Sequence, residues 1–331
     1  LKKFTSELET IEELVKAYGP WSAMSIKLDD DTYTKTDHVD HRLRRIVQAA
    51  SDAVGKPLED CRVLDLACLE GQYAIEFALN GSEVVGVDLR EANLAKASFA
   101  ATKLGLDNAE FYVDDVNNLS LDKYGSFDIV ICSGILYHLT GADACALIAK
   151  MHACCRGIVL IDTFISINGR ETIEFEGRSV EGSRYHEHTS NSSDEEKLAD
   201  LWASVENTAS FWLSEAALAN IVQDAGFSSF LELLMPEHPG HTIDRRTYLL
   251  FTGKRVKLFS SEQTDAARLP NFVKRDLKGL HPSQLEHSLL FRIGKTLLPQ
   301  SVKDAIKPSL RRTGWLKTDE VPHYLNEQGK D

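Results

Sequence analysis

The chain has 331 residues, 43% of them hydrophobic and 26% charged, and a net charge of −13, a globular balance with room for one large domain plus additions. No run approaches the roughly 20 apolar residues that span a bilayer, and Leu1-Lys2-Lys3-Phe4 leads into an amphipathic helix pattern rather than a signal-peptide core. The six cysteines, Cys61, Cys68, Cys132, Cys145, Cys154 and Cys155, lie inside apolar patterns without a CxxC pair, which argues against a disulfide framework or a zinc site and for reduced core thiols of a cytoplasmic protein.

In chain order, Ser6-Glu7-Leu8-Glu9 fits a capping box opening a helix to about Tyr18, and Gly19-Pro20 stops it. A loop with Trp21, Ile26, Leu28, the acidic run Asp29-Asp30-Asp31 and Tyr33 precedes a second helix, about His38 to Val54, stopped by Gly55-Lys56-Pro57. A regular alternation follows: strand from Arg62 to Leu66, helix from Gln72 to Leu79, strand from Glu83 to Val87, helix from Glu91 to Leu104. Strands from Glu110 to Val113 and Phe127 to Cys132, a helix from Ala142 to Cys154 and a strand from Gly157 to Ile161 complete it. Strands alternating with helices of this length make parallel βαβ units with right-handed crossovers.

From Asp162 to about Asn207 the pattern breaks. Glu171 to His188 is polar with an alternating stretch that suggests a hairpin, and Ser190 to Asp194 reads as polar loop. Ser214 then caps a helix ending at Gly226, and Phe230 to Met235 and Thr247 to Thr252 read as closing strands. The expected fold is α/β: a Rossmann-like, doubly wound, mostly parallel seven-stranded sheet with N-terminal helices, an insertion after the fifth strand and a C-terminal helical extension. The expected division is an N-terminal helical cap over 1–57, a catalytic domain over 58–253 with its insertion at about 163–210, and a basic extension over 254–331.

Charge is unevenly spread: residues 1–253 carry −19 and Lys254 to Lys317 carry +9. The acidic body would repel a nucleic-acid backbone, so nucleic acid is not an expected partner. Apolar-and-basic segments from Leu285 to Leu298 and around Val302 to Leu310 fit either peripheral contact with a membrane or a packed extension or dimer contact. The expected state is a monomer or homodimer, cytoplasmic or membrane-peripheral.

Four segments carry chemistry. Val63-Leu64-Asp65-Leu66-Ala67-Cys68-Leu69-Glu70-Gly71 is a strand, a tight turn and a helix start, placed where open α/β sheets bind ligands. Glu83-Val84-Val85-Gly86-Val87-Asp88 ends a strand on an acid 17 residues after Gly71, able to accept from ribose hydroxyls or to cap the next helix. Asp114-Asp115-Val116 follows the third strand, and Phe127 to Gly134 runs into Ile135-Leu136-Tyr137-His138-Leu139. The turn lacks G-x-G-x-x-G, which argues against a nicotinamide dehydrogenase.

Together these segments, from about Arg62 to Ile161, resemble the class I S-adenosylmethionine-dependent methyltransferases, with Leu69 standing where that family usually has glycine. The resemblance implies S-adenosylmethionine as cofactor, with Asp65, Ala67, Cys68 and Gly71 at its methionine moiety, Asp88 and Leu89 at the ribose, Asp114, Asp115 and Val116 at the adenine, and Ser133 near the sulfonium. Trp21, Ser25-Ile26, Leu28-Asp29-Asp30 and Thr34 look like the leading segment of the bacterial tRNA wobble-uridine carboxymethyltransferases and their relatives, where it folds over the cofactor. The implied reaction is methyl transfer by in-line displacement to a hydroxyl or amine of a small molecule, sugar or glycan precursor. The alternatives are a tRNA-modifying methyltransferase and a cofactor-binding pseudo-enzyme or interaction module.

A hydroxyl acceptor needs a base. His138 is the first candidate, with a helix-face histidine bonded to backbone as the other reading. His186 and Glu187 in the insertion are the second group, and no metal is expected, since a solvated loop suits His186 and His188 better than a metal site. His238 and His241, on a turn around Pro239-Gly240, are remoter candidates. Trp21, Tyr33, Tyr137, Tyr185 and Trp212 are candidates to line the acceptor pocket, against a plain core role for Trp21 and Trp212.

Overall fold

The sheet is built from segments whose residues are apolar on both faces, as a parallel sheet covered by helices requires. The computed structural model describes residues 2–5, 8–22, 25–35, 41–169, 171–189, 191–200, 202–205, 207–236, 242–257, 259–260 and 271–275. The chain divides into two units, residues 1–235 with 246–274 and residues 236–245 with 275–331. In the second unit, described at 236, 242–245 and 275, the Arg245 amide donates to the Thr242 carbonyl at 3.2 Å.

The first unit opens with β1 (Lys2–Phe4) and α1 (Ile11–Tyr18). The helix is capped by Thr10 with Glu13 reaching back, one capping box further along than the Ser6 signal, and Ser6 and Glu7 lie outside the described residues. Then come α2 (His41–Ala53), β2 (Arg62–Leu66), α3 (Gln72–Leu79), β3 (Glu83–Asp88), α4 (Glu91–Lys103) and β4 (Ala109–Val113), followed by the short α5 (Leu121–Tyr124). Next are β5 (Phe127–Ser133), α6 (Gly141–Cys154) and β6 (Cys155–Phe164), which starts directly from the end of α6. β7 (Glu171–Phe175), β8 (Arg178–His186), α7 (Asp194–Ala199), β9 (Ala209–Leu213), α8 (Glu215–Ala225), β10 (Ser229–Leu233) and β11 (Arg245–Phe251) follow.

The main sheet has eight strands in the order β1-β4-β3-β2-β5-β6-β11-β10. The seven expected strands are all present, and the eighth is β1, pairing antiparallel with β4 from Lys2↔Val113 to Phe4↔Phe111. Three residues are too few to show a period, which is why the sequence read them as the lead into a helix. The parallel pairs β2–β3, β3–β4, β2–β5 and β5–β6 place the carboxyl ends of five strands along one edge. Chain order reverses between β2 and β5, the switch point where ligands bind in such sheets.

The region after β6 is an insertion, as expected, and the alternating stretch in it is a hairpin. β7, β8 and β9 form a separate antiparallel sheet in that order. The β7–β8 hairpin closes on two residues, Glu176 and Gly177, both at positive φ (48° and 74°), the geometry that matches strand twist in a two-residue turn. Ser193 caps α7 in a capping box with Glu196, so the stretch read as polar loop opens a helix. Trp212, a candidate for pocket lining or core, lies on β9. Ser214 caps α8 as expected, and Gly226 ends it at φ 108°.

All six cysteines are buried free thiols. Among the described residues no helix is long and apolar enough to cross a membrane. His238, His241 and the apolar-and-basic segments from Leu285 to Leu310 lie outside the described residues.

Candidate functional site

The turn after β2 keeps a glycine-like backbone without the glycines. Ala67 and Leu69 sit at φ 51° and 48°, and Gly71 at φ 82°. A left-handed L-residue costs about 1–2 kcal/mol, and the turn is held against that cost by its bonds. The Cys68 amide donates to Val87 O at 2.9 Å, the Gly71 amide to Cys68 O at 2.8 Å, and the Leu69 amide to Asp88 Oδ2 at 3.0 Å. Gly71 packs so tightly that a Cβ there would meet Ala97 Cβ at 2.7 Å. Such a turn brings backbone amides to the mouth of the sheet, with α3 starting just behind.

Two acids are buried at this edge. Asp65 Oδ2 accepts from the Ala74 amide at 3.1 Å, and burial, with Asp88 nearby, pushes its carboxyl up to about 8. Asp88 accepts from the amides of Leu69 and Arg90 and from Asn93 Nδ2, and burial likewise raises it. Among the described residues neither makes a direct ion pair, and burial favours the protonated form of both. Leu89, next along, is exposed.

After β4 the two adjacent acids differ. Asp114 is bonded by Tyr124, Lys123 and Asn118, and although burial raises it, those bonds hold it below the ordinary carboxylate range. Its carboxylate is spent on tying β4 to α5. Asp115 Oδ1 caps the following turn through the Asn117 amide at 2.8 Å, and its Oδ2 has no partner among the described residues. Asp115 and the buried Val116 are therefore the pair available to a ligand.

At the end of β5, Ser133 pairs with Asp162 of β6, and Gly134 at φ 85° turns the chain into a single 3-10 turn, Leu136–His138. This turn aims His138 at the insertion. His138 Nδ1 lies 2.9 Å from Glu187 Oε1, and the Glu187 side chain is 1% exposed. Glu187 Oε2 accepts from the Ser204 amide at 3.4 Å, and Asn207 Nδ2 donates to His138 O at 3.1 Å. A carboxylate on Nδ1 fixes the proton there and leaves the Nε2 lone pair as the basic site. Among the described residues nothing bonds Nε2.

Around this pair stands an aromatic group. Trp212 is stacked between Phe164 and Tyr185, with ring centroids 4.9 Å away on each side. Tyr137 meets Phe164 edge-on at 4.8 Å and lies 4.3 Å from the His138 ring. Tyr137, Tyr185 and Trp212, far apart in sequence, are thus brought together beside His138.

Three expected site residues are not part of this group. Trp21 is 5% exposed and packs with Leu14, Ala95 and Phe99, its ring 6.0 Å from that of Phe99, so it anchors the N-terminal segment rather than facing a substrate. Tyr33 sits half-buried in the N-terminal loop, bridged to Lys27. His186 is exposed at the end of β8, and its side chain makes no hydrogen bond among the described residues; strand alternation turns it from the face Tyr185 uses. The dyad partner is Glu187, one residue past the strand.

Sequence reading passed over Glu70, Lys96 and Arg90. Glu70 and Lys96 form a buried ion pair at 3.2 Å, and Glu70 also accepts from the Ser22 amide at 2.7 Å while Lys96 donates to Pro20 O at 2.6 Å. With Gln72 Nε2 on Ser25 O at 2.9 Å, these bonds clamp the N-terminal segment onto the turn after β2. A lysine amid Leu94, Ala95, Ala97 and Phe99 in the middle of an apolar helix is the sequence signal for this pair; Arg90 carries none.

A family model described as a methyltransferase domain matches residues 57–225. Over 98 residues the chain is 32% identical to the ubiquinone biosynthesis O-methyltransferase of Acinetobacter baumannii and 33% identical to that of Acinetobacter baylyi, taking in 30% of this chain and 39% of each relative. The chain thus spans well under half the length of the curated relatives it matches. Among solved structures, the N-terminal domain of EvdMO1, crystallised in the presence of SAH and D-fucose, superposes with a TM-score of 0.56 at 23% identity over 73% of this chain and 94% of that one. That likeness is one of fold.

Proposed function

The chain belongs to the methyltransferase domain family, and from that premise we propose that it transfers a methyl group from S-adenosylmethionine to a hydroxyl oxygen of a small-molecule or sugar acceptor. The single observation that carries this reading is the His138–Glu187 pair at the carboxyl end of β5. An amine loses its proton easily after or before transfer, whereas a hydroxyl needs a positioned base, worth roughly 100- to 10,000-fold. The O-methyltransferases among the relatives agree with an oxygen acceptor.

The residues present fit the cofactor. Asp65 and Asp88, buried acids at the mouth of the sheet, offer carboxyl oxygens to the hydroxyl and ammonium donors of the cofactor, and a cation bound there would draw their raised pKa values down. In this reading Ala67, Cys68 and Gly71 offer backbone to the methionine moiety, Asp88 accepts from the ribose hydroxyls, Asp115 accepts from the adenine amino group beside Val116, and Ser133 lies near the sulfonium. When bound, the cofactor supplies an activated methyl group with a neutral thioether as leaving group. His138 Nε2 takes the acceptor proton, Glu187 stabilises the imidazolium that results, and Tyr185, half-buried and backed by Trp212, offers its ring to the acceptor. Much of the acceleration comes from holding acceptor oxygen, methyl carbon and sulfur in line.

Isothermal titration with S-adenosylmethionine tests the cofactor site: binding to wild type and a loss of about tenfold or more in Asp88→Ala are expected. No binding to the wild type, or equal binding by the variant, overturns it. Incubating the protein with labelled cofactor and hydroxyl-bearing small-molecule fractions then tests the acceptor class. The clamp of the leading segment onto the turn favours a second reading, a tRNA acceptor, which the −19 charge of residues 1–253 opposes; a gel shift with tRNA separates the two.

A further inference from the structure

Arg90 follows the buried acid at the tip of β3, yet its side chain does not pair with that acid. Its amide donates to Asp88 Oδ1 at 2.8 Å, and its guanidinium turns outward onto the insertion. There Nε donates to Leu198 O at 3.3 Å, and Nη2 donates to Asp200 O at 2.8 Å and Ala203 O at 3.0 Å. Three carbonyls gathered on one planar fork are a specific arrangement that the point charge of a lysine does not reproduce.

The third carbonyl matters most. Ala203 O and Ser204 N belong to the same peptide unit. Its oxygen accepts from Arg90 and its N–H donates to Glu187 Oε2, whose other oxygen meets His138 Nδ1. Hydrogen bonds in such a chain polarise one another. The rest of the segment is bound in the same sense: His188 Nε2 and Ser204 O lie 2.6 Å apart, Asn207 N donates to Ser204 Oγ, and Asn207 Nδ2 donates to His138 O. A continuous path therefore runs from the crevice acid Asp88 through the backbone and side chain of Arg90 to the imidazole.

We propose that Arg90 is a positioning residue that seats Leu198, Asp200 and the Ala203–Ser204 peptide so that Glu187 holds His138 in its Nδ1-protonated form, coupling the Asp88 crevice to the base. The catalytic part rests on the methyl-transfer reading; the seating rests on the hydrogen bonds of Arg90 and Ser204 alone. It also follows that a ligand hydroxyl on Asp88 tightens the Arg90 turn and protects the 187–207 segment.

The test uses the full chain as wild type, Arg90→Ala and Arg90→Lys, with fold checked by far-UV circular dichroism and melting. Imidazole 15N spectra, with the His138 signals assigned by their loss in His138→Gln, are expected to show a single Nδ1-protonated tautomer in wild type, a mixture in Arg90→Ala and an intermediate in Arg90→Lys. Hydrogen exchange with and without S-adenosylhomocysteine is expected to show protection of 187–207 in wild type that Arg90→Ala loses while still binding the ligand. With an acceptor in hand, kcat should fall about 10- to 100-fold in Arg90→Ala with little change in cofactor KM. A folded Arg90→Ala, or a folded Arg90→Lys where the alanine variant does not fold, whose His138 tautomer equals that of wild type overturns the proposal. Failure of wild type to bind S-adenosylhomocysteine sinks the methyl-transfer reading instead, with the tautomer result still deciding the role of Arg90.

Discussion

Replacing Asp65 with asparagine should flatten the pH dependence of stability between about pH 4 and pH 8. The carboxyl is 2% exposed, accepts a hydrogen bond from the Ala74 amide and is pushed up to about 8 by burial, against about 3.9 in the unfolded chain. Below pH ~4 it is neutral in both states and costs nothing. Between the two values the unfolded chain gives up its proton and the folded one keeps it, so stability falls as pH rises, and above about pH 8 the loss is complete. Four units at about 1.4 kcal/mol each set an upper bound of roughly 6 kcal/mol, and a fall of at least ~2 kcal/mol from pH 5 to 8.5 is expected after structural relaxation. The side-chain amide oxygen that Asp65→Asn introduces still accepts from Ala74, so the variant removes the charge and keeps the bond. In Asp128 burial is outweighed by hydrogen bonds from Arg156, the Arg62 amide and Lys56. A carboxyl held low in this way contributes stability that is lost as pH falls below ~4, outside this window. Urea denaturation of wild type and Asp65→Asn at four pH values from 5 to 8.5 measures the difference, in which histidine titrations cancel. Parallel curves across that range would refute the account of Asp65 as a buried, uncompensated acid.

Three further outcomes follow from the same structure. Lys96→Met, which leaves Glu70 buried without its cation, should cost about 3–5 kcal/mol in urea denaturation, and adding Glu70→Gln should recover part of it. Gly71→Ala, at φ 82° with its Cβ 2.7 Å from Ala97 Cβ, should cost about 2 kcal/mol or more and lower Tm, whereas Leu69→Gly should stay within about 1 kcal/mol because relief of its φ of 48° is offset by a looser unfolded chain. Glu187→Gln should lower methyl transfer to a hydroxyl acceptor by about tenfold or more while S-adenosylhomocysteine affinity, read by titration calorimetry, stays within about threefold.

The sheet was legible because each parallel strand carries its own evidence. Buried on both faces, β2, β5 and β6 read as short, mostly apolar runs, and the turn residues between them fixed the boundaries of β2 and α3 to the residue. The three acids at the strand tips were legible for the same reason, since position at a strand end is a property of sequence alone. What escaped was non-local. β1 is three residues long and exists because β4 offers it an edge. Glu187 was in view with His186 and His138, but which of the pair meets His138 depends on where β8 ends, and that is set by pairing with β9 rather than by any local signal. Arg90 has no pattern at all: its partners are carbonyls more than a hundred residues on.

The distribution of these contacts separates two jobs. In the proposed reading the residues that hold the cofactor lie at or just past the carboxyl ends of β2, β3, β4 and β5, and depend on βαβ geometry that the fold shares widely. The acceptor side is composed differently. His138 comes from the turn after β5, but its partner Glu187, just past β8, and the rings of Tyr185 on β8 and Trp212 on β9 come from the insertion. A base whose orientation depends on an insertion is a base that changes with the insertion, so acceptor choice can diverge while cofactor binding stays fixed on the strand tips. Arg90 bonds both regions, Asp88 through its backbone amide and the insertion through its guanidinium. Exchange of the 165–213 segment for that of another family member should therefore spare cofactor binding and alter the acceptor, provided that Arg90 still finds carbonyls to hold.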